Sequence, residues 1–109
     1  MEQPYIIVRD VRETRVQQDS ILSKTIQNDA WSKVIQFCFA PGQELSAHTA
    51  PFAATLYFAK GRATLRLGTD RLEAAEGTFV YMTPNLEHGI HAETEVVMIL
   101  TMLKDAAAR

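Results

Sequence analysis

"GQELSAHTAPFAATLYFAKG", residues 42–61, is the stretch from which the fold is read. "TLYFAK" (55–60) is a run of β-branched, aliphatic and aromatic residues of strand length, and "ELSAH" (44–48) reads as a shorter strand. Gly42 and Gly61 close the stretch at either end, and Pro51 breaks it in the middle. On simple alternation Glu44, Ser46 and His48 share one face of the first strand, and Ala54, Leu56 and Phe58 share one face of the second.

The same two-residue rhythm continues in both directions. Upstream, "SKVIQFCFA" (32–40) alternates and is stopped by Pro41-Gly42, while "SILSKTIQ" (20–27), followed by Asn28-Asp29, forms the first hairpin with it. Downstream come "ATLRLG" (63–68), "RLEAAEG" (71–77), "TFVYM" (78–82), "EHGIHA" (87–92) and "VVMILTML" (96–103), separated by turn residues. The last is continuously apolar, which suits a strand covered on both faces and leaves a short core helix as the alternative. Near the start, "YIIV" (5–8) is a further strand candidate, and the polar residues 9–19 read as loop or a helical turn. This many short strands in a chain of 109 residues predicts one all-β, antiparallel domain, a sandwich or small barrel. Residues 1–19 form an N-terminal strand or loop segment, 20–103 the body, and 104–109 a tail.

Composition narrows the function. The net charge is −2 with scattered basic residues, which excludes a nucleic-acid face or a polybasic membrane patch. Cys38 is the only cysteine, so no intrachain disulfide forms, and its apolar setting reads as a buried thiol. No apolar run reaches membrane-helix length, and the first ten residues lack a leader's layout. The expected location is therefore cytoplasmic. Ser46 and His48 have no elbow motif or oxyanion donors beside them, and no glycine-rich phosphate loop is present.

Two glycine-to-histidine blocks, residues 42–61 and "GTFVYMTPNLEHGIHA" (77–92), resemble the paired motifs of the cupins. The first motif reads G-x5-H-x-H-x3-E-x6-G, and Gly42, His48 and Gly61 fall in register with it. The second reads G-x5-P-x-G-x2-H-x3-N, and Gly77 and His88 fall in register. Thr83 stands at the proline position with Pro84 beside it, and Asn85 replaces the glycine, which it does tolerably because Asn enters the left-handed region more readily than most residues. The resemblance implies a cupin jelly-roll barrel, the double-stranded β-helix, as a compact single domain, with a homodimer through the outer faces as the family's habit.

Metal-binding cupins hold iron, manganese, zinc or nickel with three histidines and a glutamate. Carried over residue by residue, only His48 and His88 remain as metal ligands here: Ala50 stands at the second histidine, Ala54 at the glutamate, and Ala92 at the final asparagine. Two imidazoles alone hold a divalent ion poorly. His91 and Glu87 have odd offsets from His88 and should face away from it. The alanines also open volume, so that His48, Ala50, Ala54, Leu56, Phe58 and His88 form a candidate small-molecule pocket, apolar with two polar groups. Phe52 or Met82 filling the same space is the alternative. Three functions fit: a small-molecule binder (sensor, carrier or accessory subunit) that is metal-free or binds metal weakly; a metalloenzyme of dioxygenase, isomerase or decarboxylase type with extra ligands; or a dimerisation scaffold with a filled barrel. The binder fits best, because a filled barrel has no special use for two inward imidazoles.

Overall fold

A computed structural model describes residues 4–13 and 15–104. Among these residues there are nine strands: β1 (Ile21–Asn28), β2 (Ser32–Phe39), β3 (Glu44–His48), β4 (Ala53–Lys60), β5 (Ala63–Leu67), β6 (Asp70–Ala74), β7 (Phe79–Met82), β8 (His88–Ala92) and β9 (Val96–Leu103). Every pairing is antiparallel. One sheet has the order β1-β2-β9-β4-β7 and the other β3-β8-β5-β6. The alternation predicted from sequence thus forms the two walls of an all-β jelly-roll barrel. Residues 96–103 form a strand, not a helix, and lie at the centre of the larger sheet.

The core lies between the sheets. Phe39, Leu56, Phe58, Met82, Val96 and Met98 enter it from the larger sheet, and Ala63, Leu65, Ala74, Ile90 and Ala92 from the smaller. The larger sheet supplies most of the bulky core side chains, and the smaller sheet adds Leu65 and Ile90 among three alanines. Burial of each large apolar side chain contributes about 1.5–3 kcal/mol. The chain passes from β4 in one sheet to β5 in the other through Gly61-Arg62, where Gly61 has φ +89°. A Cβ on Gly61 would lie 2.0 Å from the Glu95 carbonyl oxygen, so only glycine fits this corner.

The two outer walls differ. On the smaller sheet the outward cross-strand rows are charged or polar: Glu44, His91, Thr64 and Glu73 in one row, and Arg66 and Arg71 beside Gly89 in the next. On the larger sheet, Thr55, Tyr57, Phe79, Tyr81, Ile99, Thr101 and Leu103 face out with no charged side chain among them. Part of this second wall is covered by the chain's own N-terminal segment. Val11 and Val16 pack over Cys38, Ala59 and Val97, and buried Gln36 donates from Nε2 to the Val11 carbonyl at 2.6 Å. Arg12 also pairs with Glu76.

Residues 5–8, a strand candidate by composition, are irregular and their side chains exposed. High β-propensity does not make a strand where no neighbouring edge accepts its hydrogen bonds. Among the described residues no helix is long and apolar enough to cross a membrane.

Candidate functional site

His48 ends β3 and His88 begins β8, and the two are directly paired across the sheet. Their ring centroids lie 4.4 Å apart with the planes tilted by 53°. This meeting depends on an irregularity. Glu44 pairs with His91 and Leu45 with Ile90, but the next pair is His48 with His88, so Ser46 and Ala47 together oppose Gly89 alone. The extra residue is a β-bulge, and it reverses the facing of everything after it. Glu44 and His48 therefore lie on opposite faces, where simple alternation predicts the same face. Without the bulge, His48 would point outward and the imidazoles would not touch.

Gly89 makes the bulge affordable in space. A Cβ there would meet the backbone of Ala47 at 3.1–3.2 Å and the Leu45 carbonyl at 3.2 Å. On the other strand connection, Asn85 takes φ +68°, as its place at the motif's glycine position predicts, and donates its N–H to the Ala50 carbonyl at 2.8 Å. That bond ties the loop after β3 to the loop before β8 and fixes the rim of the mouth.

Each imidazole is held in the same way. His48 Nδ1 lies 2.9 Å from the Ser46 carbonyl, and His88 Nδ1 lies 2.8 Å from the Leu86 carbonyl. A carbonyl only accepts, so each Nδ1 carries a hydrogen, and in the neutral ring each Nε2 keeps its lone pair. The pair thus offers two acceptors whose orientation is fixed by backbone rather than by mobile side chains. His48 is exposed at the mouth and His88 is half-buried.

The other predicted site residues divide by depth. Ala50 is half-buried at the rim, while Ala54, Leu56 and Phe58 lie in the core, the last two at 2% and 0% exposure. Ala54 is flanked across the sheet by Met82 and Met102. Met82 is fully buried against the core, in the position that sequence reading offered as a filler of the pocket. Met102 and Lys33, which continues the same row through its pairing with Met102, went unrecognised in the sequence because only the register of β2, β9 and β4 places them there.

His91 faces outward, as its odd offset predicts. Its Nδ1 lies 3.1 Å from Glu44 Oε1 and its Nε2 3.8 Å from Glu93 Oε2, so it belongs to the polar outer wall. Among the described residues no group of three or more His, Cys, Asp or Glu is arranged to hold a metal ion, and beside the two histidines alanine stands at positions 50 and 54.

The family description of the cupin domain matches residues 35–103, more than half of the chain. Among solved structures, a conserved protein of unknown function from Streptococcus pyogenes superposes with a TM-score of 0.81 at 24% identity, covering 95% of this chain and 90% of its own. A cupin superfamily protein from Desulfitobacterium hafniense gives 0.83 at 15% identity, with 96% and 94% covered. An RmlC-like cupin family protein with a double-stranded β-helix fold from Methanocaldococcus jannaschii gives 0.78 at 15% identity, with 99% and 96% covered. No curated protein sequence matches this one. At these identities the structural likeness establishes the fold alone, and the sequence match establishes the family: the chain belongs to the cupins.

Proposed function

We propose that this cupin binds a small molecule bearing a hydrogen-bond donor at the mouth of the barrel, through the Nε2 atoms of His48 and His88, and that it binds divalent transition metals weakly or not at all. The observation that carries this reading is the contact pair itself: two rings 4.4 Å apart, each with its Nδ1 committed to a backbone carbonyl. Such a pair can accept hydrogen bonds from a hydroxyl- or amide-bearing ligand. Weak metal binding follows from donor number. Zinc, iron, manganese or nickel would find two imidazoles where a stable protein site supplies three or four donors.

The test has two arms. Ring resonances of His48 and His88 are followed by NMR while hydroxyl- and amide-bearing fragments are added, and zinc is titrated separately by calorimetry. The reading expects fragment-dependent shifts at both rings, lost in His48→Ala, and zinc affinity no tighter than about 10 µM. Near-stoichiometric metal in protein purified without chelator or tag, lost on replacing either histidine, would instead favour the metalloenzyme reading.

A second reading has its own support. Burial of Leu56 and Phe58, with Met82 beside Ala54, favours a filled barrel acting as a scaffold. No shift at either ring with any fragment would favour it.

A further inference from the structure

The outer wall of the smaller sheet holds a cleft of about 360 Å³, bordered by Arg66, Arg71, Gly89 and the bulged backbone at Ser46-Ala47. That volume is in the range of small-molecule sites. Gly89 leaves the floor open: it stands in β8 between the bulge on β3 and Arg66 on β5, and presents no side chain to the row. Arg66 in turn lies directly opposite Arg71 on β6. Like charges set opposite each other on an antiparallel pair destabilise it. Among the described residues Arg71 makes no hydrogen bond or ion pair. Arg66 donates from Nε to the Gly68 carbonyl at 3.2 Å and reaches Glu87 only at 3.4 Å, so most of its N–H donors remain open. The carboxylates around the cleft are engaged elsewhere. Glu44 Oε1 lies 3.1 Å from His91 Nδ1, and Glu93 Oε2 accepts from Thr64 Oγ1 at 2.9 Å. Glu73 shares the strand and outward face of Arg71 but does not pair with it. The wall thus sets two guanidinium-bearing residues side by side, at the edge of an open cleft, with one long ion pair between them.

We propose that this cleft binds a small organic dianion, a dicarboxylate or a phosphate monoester, held by Arg66 and Arg71 over Gly89. A guanidinium meets a carboxylate or a phosphate with parallel N–H···O bonds, and the two arginines match the two negative charges. Occupation also offsets the like-charge repulsion between β5 and β6, so the ligand stabilises the sheet that holds it. His88 and Gly89 are neighbours in β8 and face opposite ways, so this site lies outside the barrel and is separate from the imidazole pair at the mouth.

Methyl phosphate and succinate, titrated separately into the full chain at constant ionic strength, test this by NMR of the β5, β6 and β8 amides and the arginine Nε–H groups. Saturable shifts are expected at Arg66, Arg71 and Gly89, with a dissociation constant below about 1 mM for at least one dianion. The tighter of the two tells phosphate from carboxylate. Succinamide, the uncharged counterpart of succinate, should give no such shifts. Arg71→Gln should weaken binding at least about 10-fold. Lys24→Gln, which removes a cation from β1 in the other sheet, should leave it unchanged, and so should His48→Ala at the mouth. Because Arg71 is exposed and faces a like charge, Arg71→Gln should melt no lower than the wild type. The better dianion should raise the melting temperature of the wild type but not of that variant. No saturable shift with either dianion, equal shifts with succinamide, binding indifferent to Arg71→Gln, or an equal loss in Lys24→Gln would each overturn the proposal.

Discussion

Replacing Gly61 by alanine tests whether the corner between the sheets is as tight as it looks. Two costs add. The backbone at φ +89° lies in the left-handed half of conformational space, where a Cβ costs about 1–2 kcal/mol. The new Cβ would also sit 2.0 Å from the Glu95 carbonyl oxygen and 2.8 Å from Thr94 Oγ1. To restore ordinary contact the 93–95 turn must retreat by about 1.4 Å. That turn is latched to Arg62, whose carbonyl accepts from the Glu93 N–H at 2.9 Å and whose N–H donates to Thr94 Oγ1 at 3.0 Å. Loss of both bonds costs about 1 kcal/mol each. The half-buried Lys60–Glu95 pair, still open to solvent screening, adds little. The sum is about 3–4 kcal/mol, a large part of the ~5–15 kcal/mol that holds a domain folded. Gly42→Ala is the control: its φ is +85°, but nothing lies within 4 Å of its Cβ, so only the conformational cost applies. Urea unfolding of the two variants isolates the clash and the broken latch as a difference of about 2 kcal/mol. A difference under about 0.5 kcal/mol would show that the corner yields freely and that the geometric account is wrong.

Three further outcomes follow from the mouth and the first hairpin. Gly89→Ala should push the Ala47 backbone away and separate the imidazoles, seen as loss of ring-to-ring nuclear Overhauser effects between His48 and His88, at a stability cost of about 1–3 kcal/mol. Ala50→His with Ala54→Glu restores the two donors that metal-binding cupins carry, and should raise zinc affinity at least about 100-fold by calorimetry; because Ala54 is buried, the metal-free variant should melt lower than the wild type. Asp29 accepts from the Trp31 and Ser32 N–H groups, and these bonds, Trp31's first, hold its carboxyl below the usual value of 3.8. A carboxyl whose folded pKa is depressed contributes stability above its unfolded pKa and loses it as pH falls through the folded one. The stability gap between wild type and Asp29→Ala should therefore be full at neutral pH and shrink as the pH is lowered through and beneath 3.8 in a pH series of urea melts.

The walls of the barrel were legible because burial on one face imposes a period of two, and that period survives in the residues themselves. Tyr57 outward and His91 away from His88 follow from counting, whereas in β7 counting separates Phe79 and Tyr81 from Val80 and Met82 without saying that the second pair is the one turned to the core. Residues 5–8 misled for a related reason: propensity records what a side chain tolerates, while a strand also needs an edge to pair with. The row Lys33, Met102, Ala54, Met82 was not readable at all, since it is a property of four strands in register and no single segment contains it.

The bulge at Ser46-Ala47 is where sequence reading and function part company. Parity counting places His48 with Glu44, and the motif places it with His88; both cannot hold on a regular strand, because a one-residue slip exchanges the faces. The conflict itself was the available signal. Two histidines required to converge, on a strand whose count sends one of them outward, imply one extra residue between Glu44 and His48, and a glycine opposite to make room for it. Gly89 supplies that room, with Ala47 only 3.1 Å from where its Cβ would be. The site is therefore less a pair of histidines than a bulge and a glycine that turn one histidine around. On this account Gly89→Ala should damage the mouth more than Ala54→Val, a core change that leaves the bulge alone, and ring-to-ring contact between His48 and His88 is the measurement that ranks them.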